Sequence, residues 1–80
     1  MPTVAREGPY RLYFFSNEGR EPPHVHVERD RGRRTAKFWI APVRLAHVER
    51  FTAVELSAIM SIVQRYESQI GRAWREHVGE

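Results

Sequence analysis

The chain has 80 residues, with 13 lysines or arginines against 10 acidic residues, a net charge of +3 and no cysteine. That length predicts a single domain, residues 1–80, burying only about 60–65% of its unfolded surface. The cysteine count excludes disulfides and thiolate metal sites and fits a reducing cytoplasm. The opening stretch MPTVAREGPY lacks the apolar segment of a signal peptide, and no apolar run approaches the roughly 20 residues of a membrane-spanning helix.

In chain order, a weak strand is expected over Thr3–Arg6. Tyr10–Phe15 (YRLYFF) is aromatic-rich and alternating, the pattern of a strand. SNEGREPP is a loop of Ser, Asn, Gly and Pro, and the next strand begins only after Pro23, because proline cannot donate to a ladder. His24–Glu28 (HVHVE) alternates strictly, as does Thr35–Ile40 (TAKFWI). Between them, RDRGRR places Gly32 where a tight hairpin needs positive φ. Beyond Pro42, Val43 and Leu45 suit either a short strand or an irregular crossover.

A helix starts clearly at Thr52. Thr52 and Glu55 form a capping box, in which hydroxyl and carboxylate each satisfy a free backbone N–H, and Phe51 is placed to staple onto Leu56. Leu56, Ile59, Met60, Val63, Tyr66, Ile70 and Trp74 form one stripe of a helix running from Ala53 to near His77. Gly71 weakens this helix by about 1 kcal/mol relative to alanine and marks an expected bend. The predicted fold is therefore α+β: a small antiparallel sheet of three to four strands with one long C-terminal helix across one face.

Strand periodicity sorts the side chains onto two faces. Tyr10, Leu12, Phe14, Val25, Val27, Ala36, Phe38 and Ile40 are apolar and belong to the core under the helix. Arg11, Tyr13, Phe15, His24, His26, Glu28, Thr35, Lys37 and Trp39 share the other face, which the chain is too short to cover well. His24 and His26 then lie side by side on that face, roughly 6.5–7 Å apart at Cα.

Four uses of the histidine pair compete. Two neutral imidazoles on one strand can bind a divalent metal, but Glu28 lies about 13 Å from His24 and is a poor third ligand. A nearer ligand would have to be His47, Glu7 or Glu21. Two histidines are also the equipment of metal-independent RNA cleavage, one as base and one as acid, with Arg11 or Lys37 steadying the phosphorane. The third use is binding. Tyr13, Phe15 and Trp39 would stack, while Arg11, Lys37 and the Arg31, Arg33 and Arg34 tip would hold RNA or DNA backbone, or the same face would anchor a protein. The fourth is an ordinary contact surface, docked on a second copy of the chain or covered by the N-terminal segment.

The basicity is local, because residues 29–37 hold Arg29, Arg31, Arg33, Arg34 and Lys37 against Asp30 alone. Such a patch suits phosphate or carboxylate partners and also the solvated tip of a hairpin. Ser16, Ser57, Ser61 and Ser68 lack a nucleophile-elbow context, and no glycine-rich phosphate loop is present. Trp74 reads as a core anchor and His77 as a favourable cation at a helix end. No cofactor is expected.

Together, MPTV, YRLYFFSNEGREPPHVHV, AKFWI, PVRLA and the helix pattern EL..I..IV…AW resemble domain of unknown function 4160, a family of small bacterial proteins, from Met1 to about His77. The family's characteristic positions correspond to Glu21, Pro22, Pro23, His24, His26, Lys37 and Trp39. The resemblance implies a cytoplasmic bacterial protein with a small protein partner, in the manner of a toxin–antitoxin pair, and implies no reaction. Two positions depart from the family pattern: the Arg31–Arg34 tip is more basic, and Arg50 stands where glycine is expected.

The leading functional expectation is thus a component of a toxin–antitoxin-like module that binds a partner protein, RNA or both through Arg11, Tyr13, Glu28, Arg31, Arg33, Arg34, Lys37 and Trp39. The competing one is an endoribonuclease with His24 and His26 as acid and base.

Overall fold

A computed structural model describes residues 3–15 and 20–78. Residues 16–19 of the expected loop, with Ser16, lie outside the described residues, as do Met1 and Pro2. Five strands form one antiparallel sheet in sequence order: β1 (Thr3–Glu7), β2 (Tyr10–Tyr13), β3 (His24–Arg29), β4 (Arg34–Trp39) and β5 (Arg44–Glu49). Two helices follow, α1 (Ala53–Arg65) and α2 (Glu67–Val78). The α+β class holds, but the expected sheet of three to four strands has five and the expected single helix is two.

The additional strand is β5. Its period is broken by a bulge: Lys37 pairs with His47 and Phe38 with Leu45, leaving Ala46 without a partner across the ladder. The core face then continues from Leu45 to Val48 rather than to His47. The helix breaks at Tyr66, not at Gly71. Tyr66 leaves helical geometry (φ −97°, ψ 10°) and donates its hydroxyl to Glu7 on β1 at 2.8 Å. This turn keeps Ile59 and Val63 of α1 and Ile70 and Trp74 of α2 on the same sheet, all buried.

The expected core residues of the strands are all buried, joined by Phe51 and Ile62. The capping box is formed: the Thr52 N–H donates to Glu55 at 2.9 Å and the Glu55 N–H donates to Thr52 at 3.1 Å. Gly32 has φ 86° at the β3–β4 hairpin tip. Arg50 has φ 69°, the left-handed region that favours glycine, so a side chain there is costly.

The two edges of the sheet differ. At β1, Gln69 of α2 donates to the Val4 carbonyl at 3.0 Å, and Glu7 is held by Tyr66 and by Arg65 at 3.2 Å. At β5, among the described residues, no element pairs with the outer edge.

Ion pairs fasten the helices to the sheet, and they set an acid limit. The Tyr66 hydroxyl, then Arg65, hold the Glu7 carboxyl below its ordinary value. The Thr52 N–H does the same for Glu55, helped by Arg34. A carboxylate whose pKa is lower in the folded than in the unfolded chain adds stability above the unfolded pKa and loses it as pH falls through the folded one. Stability should therefore fall as pH drops below about 4.5. In urea titrations from mildly acidic to strongly acidic solution, the Glu7→Gln/Glu55→Gln double variant should lose less stability than wild type. An acid limb of the same depth in both would contradict these assignments.

Candidate binding face and the histidine pair

The motif EPPHVHV begins with two prolines whose carbonyls are both used. Pro23 accepts from the Ile40 N–H at 3.1 Å, extending the β3–β4 ladder past its last strand residue. Pro22 accepts from Nδ1 of His24 at 2.9 Å. A carbonyl only accepts, so Nδ1 of His24 carries a hydrogen, and a neutral ring then leaves Nε2 as an acceptor.

The two histidines occupy unlike environments. His24 has no exposed surface. Its ring centroid lies 4.8 Å from Trp74 of α2, 5.7 Å from Trp39 and 5.2 Å from His26. Trp74 in turn meets Phe14 edge-on at 5.4 Å, and His77 stacks on Phe14 at 5.3 Å while donating from Nε2 to the Phe15 carbonyl at 2.8 Å. The end of α2 thus wraps the corner of the sheet and covers His24. The face expected to be open is closed at this corner. Trp74 is the core anchor expected, whereas His77 is a ring contact and a hydrogen-bond donor besides lying near a helix end.

His26 is only partly buried. It stacks on Tyr13 at 5.4 Å and meets Phe15 edge-on at 4.5 Å. The register aligns Tyr13, His26, Lys37 and His47 in one row across β2, β3, β4 and β5. This row, with Phe15, Thr35 and Ala36, lines a cleft of about 470 Å³. Tyr13 is itself buried and forms the floor, while Phe15 is 43% exposed at the rim. Trp39 lies beside the cleft under the Lys37 ammonium, 4.6 Å from the ring. His47 belongs to the cleft but was seen in the sequence only as a metal-ligand candidate. The interrupted period of β5 hid its place in the row.

The cations of this region are largely matched by acids. Arg11 pairs with Glu28 at 3.2 Å, donates to Thr3 at 2.8 Å and sits over the Tyr13 ring. Lys37 pairs with Glu21, and His47 with Glu49 at 3.0 Å. Arg34 is on the opposite, helix-bearing face, bound to Glu55 and to Asp30 at 2.9 Å. Of the expected tip, Arg31 and Arg33 are exposed. Glu21 also reaches within 3.7 Å of His24 Nδ1, while Glu7 lies with α1 and α2. Among the described residues no group of three His, Cys, Asp or Glu is placed to hold a metal ion.

These environments predict unequal responses to truncation. His24→Ala should lower unfolding stability by about 2–4 kcal/mol, because it opens a cavity between two tryptophans and leaves the Pro22 carbonyl unpaired. His26→Ala should cost about 1 kcal/mol or less, as expected of a partly exposed site. Chemical denaturation of the two variants checks this, and equal losses would refute the division of roles.

A family model described as Domain of unknown function (DUF4160) matches residues 10–75. No curated protein and no solved structure matches the chain. The matched span runs from the first residue of β2 to the last turns of α2, and includes the proline–histidine motif, the cleft row and Trp74. The chain belongs to the DUF4160 family.

Proposed function

We propose that this protein is a binding component of a two-part, toxin–antitoxin-like module, and that the cleft face docks its partner protein. The observation that carries this reading is the row Tyr13–His26–Lys37–His47 with Phe15 at its rim: an aromatic cleft whose cations are already matched by Glu21, Glu28 and Glu49. A polyanion gains affinity chiefly by pairing phosphates with cations that lack partners and releasing counterions. A charge-matched aromatic surface instead resembles the centre of a protein interface, where tyrosine, tryptophan and arginine anchor the contact.

The competing reading, RNA cleavage by His24 and His26, draws less support. A general acid or base must come within hydrogen-bond reach of the reacting oxygen, and His24 is enclosed by Trp39, Trp74 and His26.

Tagged wild type, mixed with extract of its cells of origin, should retain a small protein partner that a Phe15→Ala/Lys37→Glu variant does not. Titrated in pure form, that partner should bind Trp39→Ala more weakly by about 1–3 kcal/mol. Retention unchanged in both variants would contradict the docking face. Tight binding of a labelled single-stranded RNA, steeply weakened by salt and lost in the same variants, would assign the face to nucleic acid instead.

A further inference from the structure

A strand at the edge of a sheet presents unpaired N–H and C=O groups, and proteins usually cover or blunt it. At the β1 edge the Val4 carbonyl accepts from Gln69, and the Glu7 side chain is tied to Tyr66 and Arg65. The β5 edge, among the described residues, pairs with nothing on its outer side, though it is six residues long and contains no proline. It also carries Leu45, one of the few large apolar side chains left exposed, at 41%. We infer that β5 is the interface between two copies of this chain, which pair antiparallel, edge to edge, about a two-fold axis passing between Ala46 and His47.

The order of residues along β5 is self-complementary about that point. In this register Arg44 of one copy faces Glu49 of the other, Leu45 faces Val48, and Ala46 faces His47, each pair occurring twice. Residues opposite one another in an antiparallel ladder must share a face. In a regular strand Arg44 and Glu49, five residues apart, would lie on opposite faces. The bulge at Ala46 shifts the period by one. Arg44 pairs with Trp39, and Glu49 with Thr35, both on the cleft face. Leu45 pairs with Phe38, and Val48 with Ala36, both on the core face. The shift that would normally blunt an edge here brings opposite charges together on one face and apolar side chains together on the other.

The two sheets would then join into one, with both helix layers on the same side, as a two-fold axis normal to the sheet requires. Leu45 and Val48 of each copy would cover one another between those layers. On the cleft side, the two His47 side chains would flank the axis, so the two clefts would become neighbours. The ladder uses the strand's outer edge, and it borders the cleft through His47, which lines the cleft, and Glu49, which His47 holds at 3.0 Å.

Sedimentation equilibrium of the full chain over a range of micromolar concentrations should show a monomer–dimer equilibrium. Arg44→Glu places four acidic side chains across the contact, and Glu49→Arg places four basic ones. Each variant should weaken self-association about tenfold or more, since two attractive cross-strand pairs become repulsive. An equimolar mixture of the two variants restores opposite charges at every pair, and it should associate where neither does alone. A wild type that stays monomeric across the range, single variants that dimerise as wild type does, or a mixture that gains nothing would each overturn the proposal. Circular dichroism of the separate variants confirms that exchange of these two exposed residues leaves the fold intact.

Discussion

The structure turns on one buried imidazole. His24 sits at the corner where β3 begins, and everything that closes the corner touches it or its neighbours. Pro22 holds its Nδ1–H, Pro23 extends the ladder beside it, and Trp39 flanks it from β4. Trp74 brings in the far end of α2. A small domain has little apolar surface to spend on holding a helix end in place. An imidazole that both packs against rings and satisfies a carbonyl does two jobs in one position, because it adds ring contact and leaves no buried polar group unpaired at Nδ1. With His24 fixed in this way, His26 two residues on is pointed into the cleft against Tyr13 and Phe15.

The same economy governs the charges. The chain is basic in composition, yet several of its arginines serve the fold. Arg34 ties the β3–β4 hairpin to the start of α1 through Glu55, and Arg65 ties α1 to β1 through Glu7. Arg11 holds Glu28 across the neighbouring strand. Arg31 and Arg33 remain at the exposed tip. A local excess of positive charge in the sequence therefore does not become an equal excess on the cleft face, since alternate residues of β4 point to opposite sides of the sheet.

Much of the architecture was legible in the residues. The alternation of YRLYFF, HVHVE and TAKFWI gave three strands and the strand core, and Thr52 with Glu55 marked the helix start within a residue. What escaped had physical causes. The bulge at Ala46 broke the alternation of RLAHVE, so β5 read as an ambiguous segment and His47 was not placed beside Lys37. The break at Tyr66 carries neither glycine nor proline. Its tyrosine is tied to Glu7, 59 residues away in sequence, while local propensity pointed to Gly71. The histidine pair was placed on the right strand and the right face. Its division into one buried and one accessible ring was hidden, because the residue that buries His24 is Trp74, brought across by that same break in the helix.

The central claim is that His24 is a structural donor fixed to Pro22, and that only His26 faces the cleft. Histidine-selective nitrogen NMR reads the tautomer of a neutral ring directly. The account predicts that His24 holds its hydrogen on Nδ1, with that proton protected from exchange with water. A His24 ring found with its hydrogen on Nε2, or exchanging as fast as an exposed imidazole, would contradict it.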